Sequence, residues 1–291
     1  MRAVLALLWC EAICGEYARA AAIAAAYELA HGAALVQDDV IDHSPLRRGE
    51  PSIPGKYGVS GAILASNTLL FYVPKLIAEF GRKSGDAILV SRLLELFGEC
   101  YRSSTLGEYF DLEMAGSTST ISEADYERMI RLKTGSLIGA ASASGALIGR
   151  GAVDEDLLCA AYQYGESLGI AYQIQDDILD IFGDEKTIGK PIFNDLAGGK
   201  KSLMIIRLLQ QCDSDEREFV NQNVSRRKKS FGEDEILRTR SLLKKYDCEA
   251  YAKEFASRYI RRAESSLSGL GNSKARKRLS ELSYYLAARN Y

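Results

Sequence analysis

Apolar residues recur every three or four positions along most of the chain, the period of a helix with one buried face. The pattern predicts helices over residues 3–14 and 17–42, split near Gly15, and then over 59–81 and 84–116. Ser-Thr-Ser-Thr at 117–120 interrupts it. Ser122, followed by Asp125, has the character of a capping box opening the next helix, 123–149. A helix over 154–182 follows, and shorter ones over 201–211, 215–227, 233–246, 248–268 and 273–289 finish the chain. Two polar stretches remain, HSPLRRGEPSIPGKYG at 43–58 and GDEKTIGKPIFNDLAGGK at 183–200, and both read as loops. Strand signals, meaning alternating β-branched runs with Asn-Gly turns, are absent. The expected fold is all-α, with 1–291 as a single domain because composition shows no linker-like shift.

The prolines sharpen this picture. Three of the five fall in the first loop, and the others are Pro74 and Pro191, so the long stretches between and after them hold no helix breaker. A net charge of −2 over 291 residues gives no general pull toward nucleic acid or an anionic membrane. No uninterrupted apolar run approaches the ~18 residues needed to span a bilayer. The apolar MRAVLALLWC at the N-terminus continues helically toward the first aspartate cluster, which favours a structural helix over a signal peptide. Six cysteines are scattered, and Cys10 and Cys14 lack the second pair that a zinc site would need. They read as free thiols of a reducing, cytoplasmic setting.

The candidate chemistry lies in two copies of one motif. QDDVID at 37–42 carries Asp38, Asp39 and Asp42, and QDDILD at 175–180 carries Asp176, Asp177 and Asp180. On a helix, positions i and i+4 share a face, so each cluster presents its carboxylates together. A solvated helix end would explain one such cluster. The flanking ELAHGAALVQ and SLGIAYQI are apolar, however, and point to carboxylates at the edge of a core facing a cleft. Like charges at this spacing call for a cation. Mg²⁺ typically uses one or two carboxylates together with substrate phosphate oxygens. Each cluster is followed by a basic loop, with Arg47 and Arg48 in the first and Lys190 and Lys200 in the second. With Lys133, these could complete a site for a polyanion.

The set DDVID, RRG, KTG, GIAYQIQDDILD, GKP and DLAGGK resembles the trans-polyprenyl diphosphate synthases of the isoprenoid synthase family, over about residues 2 to 290. The resemblance implies a helical bundle around a deep central cavity. It implies head-to-tail condensation of isopentenyl diphosphate with an allylic diphosphate, three Mg²⁺ ions with substrate bound, and a homodimer. It makes Asp38, Asp42 and Asp176 the direct metal ligands, with Asp39, Asp177 and Asp180 as water-mediated or supporting partners. Arg47, Lys133 and Lys190 correspond to groups holding the allylic diphosphate, and Lys200 to a further diphosphate contact. Arg2, His31 and Arg48 correspond to the isopentenyl diphosphate site. Thr134 and Gln173 correspond to groups beside the allylic cation. His31 lies two turns before Asp38 on the same face, which supports a place at the site.

The residues just upstream of the first cluster would form the floor of the product tunnel. Ala30, Ala33 and Ala34 are small there, and Tyr27 is the next large residue, ~9 Å beyond Ala33 along the helix. The expected product is C20 or longer. The sequence departs from the family pattern at several positions. It begins at Met1, where Gly-Gly-Lys usually precedes the residue matched by Arg2, so the family's N-terminal helices are expected to be missing. Ala3 stands for a Pro, Ser66-Asn67 for Gly-Asp, Glu108 for a Gln and Phe193 for a Gly. Two other functions remain open. A terpene cyclase of the same fold would need a different second metal motif and would leave RRG and GKP without purpose. A non-catalytic partner subunit predicts eroded aspartate clusters, and both clusters are intact.

Overall fold

The computed structural model describes residues 1–117, 120–183, 192–224 and 230–287. Helix α1 (Arg2–Cys14) is followed by a 3₁₀ turn (Tyr17–Ala20) and α2 (Ala21–Ile41), which carries the first aspartate cluster at its C-terminal end. A small antiparallel ladder, β1 (Leu46–Arg47) and β2 (Glu50–Pro51), tightens the loop after it, pairing Leu46 with Pro51 and Arg47 with Glu50. The fold is all-α as expected, and this ladder of two-residue strands carries Arg47 into the site.

Helix α3 (Ile53–Ser84) starts inside the segment expected to be a loop. Ser52 caps it by accepting from the Gly55 N–H at 3.1 Å. Pro54 falls in its first turn, where the missing N–H has no partner to lose. At Gly58 (φ 72°, ψ 170°) the helix kinks through a conformation open to glycine, and continues to Gly85. Asp86 then caps α4 (Ala87–Gly116) by accepting from the Leu89 N–H.

The stretch read as one helix over 123–149 is three pieces. The Ser122/Asp125 capping box opens α5 (Glu123–Ile130), a π turn occupies Arg131–Gly135, and α6 (Ser136–Arg150) continues. Helix α7 (Glu155–Phe182) ends with the second aspartate cluster. The described part of the second loop contains a one-turn helix, α8 (Asn194–Ala197). Then come α9 (Leu203–Gln211), α10 (Ser214–Val224), α11 (Glu233–Lys245), α12 (Cys248–Ser266) and α13 (Lys274–Ala287).

Helix α6 is buried along nearly its whole length. It packs against α1, α4 and α7, while α12 covers the far side of α7 and α3 covers α2. Trp9 and Tyr164 meet edge to face at 5.6 Å in this core. By length and composition, α3 can cross a membrane: its 18-residue window has a mean hydropathy of 1.4 and is 22% buried. Glycines, serines and polar residues interrupt that window, so no continuous apolar run announces it in the sequence.

Candidate active site

Packing α2 and α7 into one bundle turns the ends carrying the two aspartate clusters toward a single open cavity of about 1670 Å³. All six aspartates line it, together with Arg2, His31, Ala34, Arg47, Arg48, Lys133, Thr134, Gln173 and Lys200. Lys190 lies outside the described residues. Ten carboxylates and six lysine or arginine side chains face this space among the described residues.

The aspartates divide by what they touch. Asp39 is 3% exposed and accepts Arg47 Nε through both oxygens, at 2.8 and 3.0 Å. Asp177 accepts the Tyr126 hydroxyl at 2.6 Å and the Gln173 amide at 3.0 Å. Gln173 in turn accepts from the Thr134 hydroxyl at 3.1 Å, so one chain of bonds fixes the Gln173 amide and the Thr134 side chain. Asp180 is 2% exposed, and its carboxylate receives the N–H groups of Asn194 and Asp195, pinning α8 beneath the cavity. Asp38 and Asp42 stand one turn apart on α2, and Lys200 reaches from the second loop to Asp42 at 3.7 Å and Asp195 at 3.1 Å. Among the described residues, no three potential ligands already converge on one metal position.

Burial sets the titration of these groups. It pushes Asp38 up to about 6, against the pull of Lys133, while Glu108 and Asp42 add to the rise. Burial likewise lifts Asp177 to about 8, although the Tyr126 hydroxyl opposes it. Lys133 and Lys200 are also desolvated. Their carboxylate neighbours outweigh that and hold both above the usual lysine range. His31 falls to about 4, through burial first and the Arg2 charge second, so it is neutral at pH 7.

The π turn decides where Lys133 and Thr134 point. Its closing bond runs from the Ser136 N–H to the Arg131 carbonyl, five residues back. The Lys133 carbonyl receives the Ser104 hydroxyl at 2.9 Å. Arg131 pairs with Glu127 at 2.6 Å and with Glu166 of α7, tying the turn to its neighbours. Gly107 of α4 lets the two backbones meet, since a Cβ there would lie 2.2 Å from the Lys133 nitrogen.

The four residues expected at the tunnel floor occupy different places. Ala34 lines the cavity, but Tyr27, Ala30 and Ala33 do not. All three are buried in the core, with the Tyr27 hydroxyl hydrogen-bonded to Ser144 on α6 at 2.9 Å. Helices α6 and α3 pack on this stretch of α2, and Ser66 of α3 donates to the Ala33 carbonyl.

Several wall residues were given no role by the sequence reading, Glu108 among them despite its departure from the family's Gln. Tyr101 donates to Gln37 at 2.9 Å beside the first cluster, Tyr126 holds Asp177, and Asp111 and Glu108 hold Lys133. Lys201 also lines the cavity and donates to the Ser117 carbonyl at 2.6 Å. The i, i+3 spacing of Glu108 and Asp111 was the one available signal.

The pattern of the polyprenyl synthetase family matches residues 1–239. The chain is 32% identical, over its whole length and 86% of the relative's, to a short chain isoprenyl diphosphate synthase of Methanothermobacter thermautotrophicus. The crystal structure of a geranylgeranyl pyrophosphate synthetase from Pyrococcus horikoshii superposes with a TM-score of 0.89 at 32% identity, covering 99% of this chain and 85% of that one. A polyprenyl synthase from Caulobacter crescentus, solved with calcium and isoprenyl diphosphate, gives 0.88 at 27% identity, covering 100% of this chain and 84% of that one. With paired aspartate clusters facing one cavity and likeness along nearly its full length, the chain belongs to the polyprenyl synthetase family of prenyltransferases.

Proposed function

We propose that the protein condenses isopentenyl diphosphate with an allylic diphosphate, head to tail, to give a trans-polyprenyl diphosphate of C20 or longer. The observation that carries this reading is the meeting of both aspartate clusters, Arg47, Lys133 and Lys200 around one cavity. The donor set consists of hard oxygen ligands that suit Mg²⁺, and no three of them form a finished cage among the described residues. Asp38, Asp42 and Asp176 are the proposed ligands, with diphosphate oxygens completing the coordination of three ions. Asp39, Asp177 and Asp180 already serve Arg47, the Gln173 network and α8. When bound, Mg²⁺ supplies positive charge to a departing diphosphate.

The chain's own residues do the rest. Lys133, Lys200, Arg47 and Lys190 hold the allylic diphosphate, and Arg2, Arg48 and neutral His31 hold isopentenyl diphosphate. The allylic C–O bond breaks and its electron pair leaves with the diphosphate. The Gln173 amide oxygen and the Thr134 hydroxyl lie beside the resulting cation. The isopentenyl double bond forms the new C–C bond, and the released diphosphate takes the proton that restores a double bond. Ala34 leaves room at the cavity wall for the growing chain.

The exposed apolar residues of α3 and α4, among them Leu64 (68%), Phe71 (78%) and Ile88 (72%), support a homodimer formed through these helices. Six unpaired thiols fit a cytoplasmic setting.

The test is incubation of pure protein with Mg²⁺, labelled isopentenyl diphosphate and C5, C10, C15 or C20 allylic diphosphate, sizing the dephosphorylated products. Incorporation reaching C20 or beyond is expected. Products ending at C15 would reject the length, and no incorporation with intact diphosphate binding would indicate a partner-subunit role.

A further inference from the structure

Lys133 stands between two acids. Its Nζ lies 2.6 Å from Glu108 Oε2 and 2.6 Å from Asp111 Oδ2. Glu108 and Asp111 are three residues apart on α4 and so share a face. Their side chains are 17% and 10% exposed and that of Lys133 is 21%, so solvent screens these contacts weakly. Close backbone contact at Gly107 keeps the lysine beside both acids.

Two other cations of the cavity are held by carboxylates as well, Arg47 by Asp39 and Lys200 by Asp195 and Asp42. Glu108 is the member that changes the balance. A glutamine there, as in the family pattern, would offer Lys133 the same accepting oxygen without a charge. With glutamate, Lys133 and its two partners carry a net negative charge. An incoming diphosphate therefore meets an ammonium already neutralised, with a surplus anion beside it.

Resting on the functional reading above, we propose that Glu108 is a positioning residue that holds Lys133 and makes capture of the allylic diphosphate depend on a divalent cation. The extra carboxylate repels a bare diphosphate. Metal-bound diphosphate, with its charge reduced, is admitted. The residue thus favours the metal-complexed form of the substrate over the free anion.

The probe is inorganic diphosphate titrated calorimetrically into the full chain, once with EDTA and once with Mg²⁺. Glu108→Gln should tighten metal-free binding on the order of tenfold, with little change when Mg²⁺ is present. Glu108→Ala should move the same way, and Glu108→Asp should keep the wild-type dependence on metal. Adding Lys133→Met to Glu108→Gln should erase the gain. A purely structural salt bridge would lower the melting temperature of the variants without tightening metal-free binding. Unchanged or weaker metal-free binding in both neutral variants would overturn the proposal and leave the functional reading standing. Failure of the wild type to bind diphosphate even with Mg²⁺ would overturn both.

Discussion

Phe193 holds a left-handed backbone at φ 60°, a conformation that suits the glycine of the family pattern. Its ring is 1% exposed and packs against Phe231 at 5.4 Å, with Arg240 over its face. The strain is about 1 kcal/mol. Deleting a buried phenyl ring costs about 3–5 kcal/mol. Phe193→Gly should therefore destabilise the fold by about 2–4 kcal/mol, measured by denaturant unfolding, although it restores the more comfortable backbone. His31 gives a second prediction at this scale. The unfolded chain takes up its proton near pH 6.5, the folded one near 4. This contribution to stability is complete above about pH 6.5 and is lost as pH falls toward about 4, because the unfolded state then binds the extra proton. His31→Gln should flatten the stability profile in that window, and unchanged denaturant midpoints across it would refute the assignment. The aspartate clusters were legible because their spacing is local. The bonds of Asp39 and Asp180 were not, since their partners arrive only when the following loops fold.

Among the elements, long helices were readable and their junctions were not. The apolar period located α1, α2, α4 and α7 within a few residues. It missed the start of α3, where a proline in the first turn mimics a loop, and the π turn, whose single extra residue barely disturbs the pattern. That turn presents Lys133 and depends on contact with α4 at Gly107. Gly107→Ala should push these elements apart, destabilising the protein by about 1–3 kcal/mol. It should also reduce turnover more than Gly98→Ala, a site on the same helix with open space for a methyl. Equal turnover in the two variants would separate Lys133 placement from catalysis.

At the scale of the whole molecule, the apolar surface of α3 and α4 carries the proposed self-association. Leu64→Glu with Phe71→Glu should yield monomers in sedimentation analysis while far-ultraviolet circular dichroism is retained, and a wild type that sediments as a monomer would refute the dimer. Sequence reading could not locate this surface, because apolar periodicity does not say which apolar face remains uncovered. The cavity has a consequence beyond the site. Among the described residues, ten acidic side chains but only six lysines and arginines line it, a local excess of acid in a chain whose net charge is −2. Its interior should therefore accumulate small cations from bulk solution, and added salt should raise the melting temperature of the empty protein by screening the repulsion among those carboxylates.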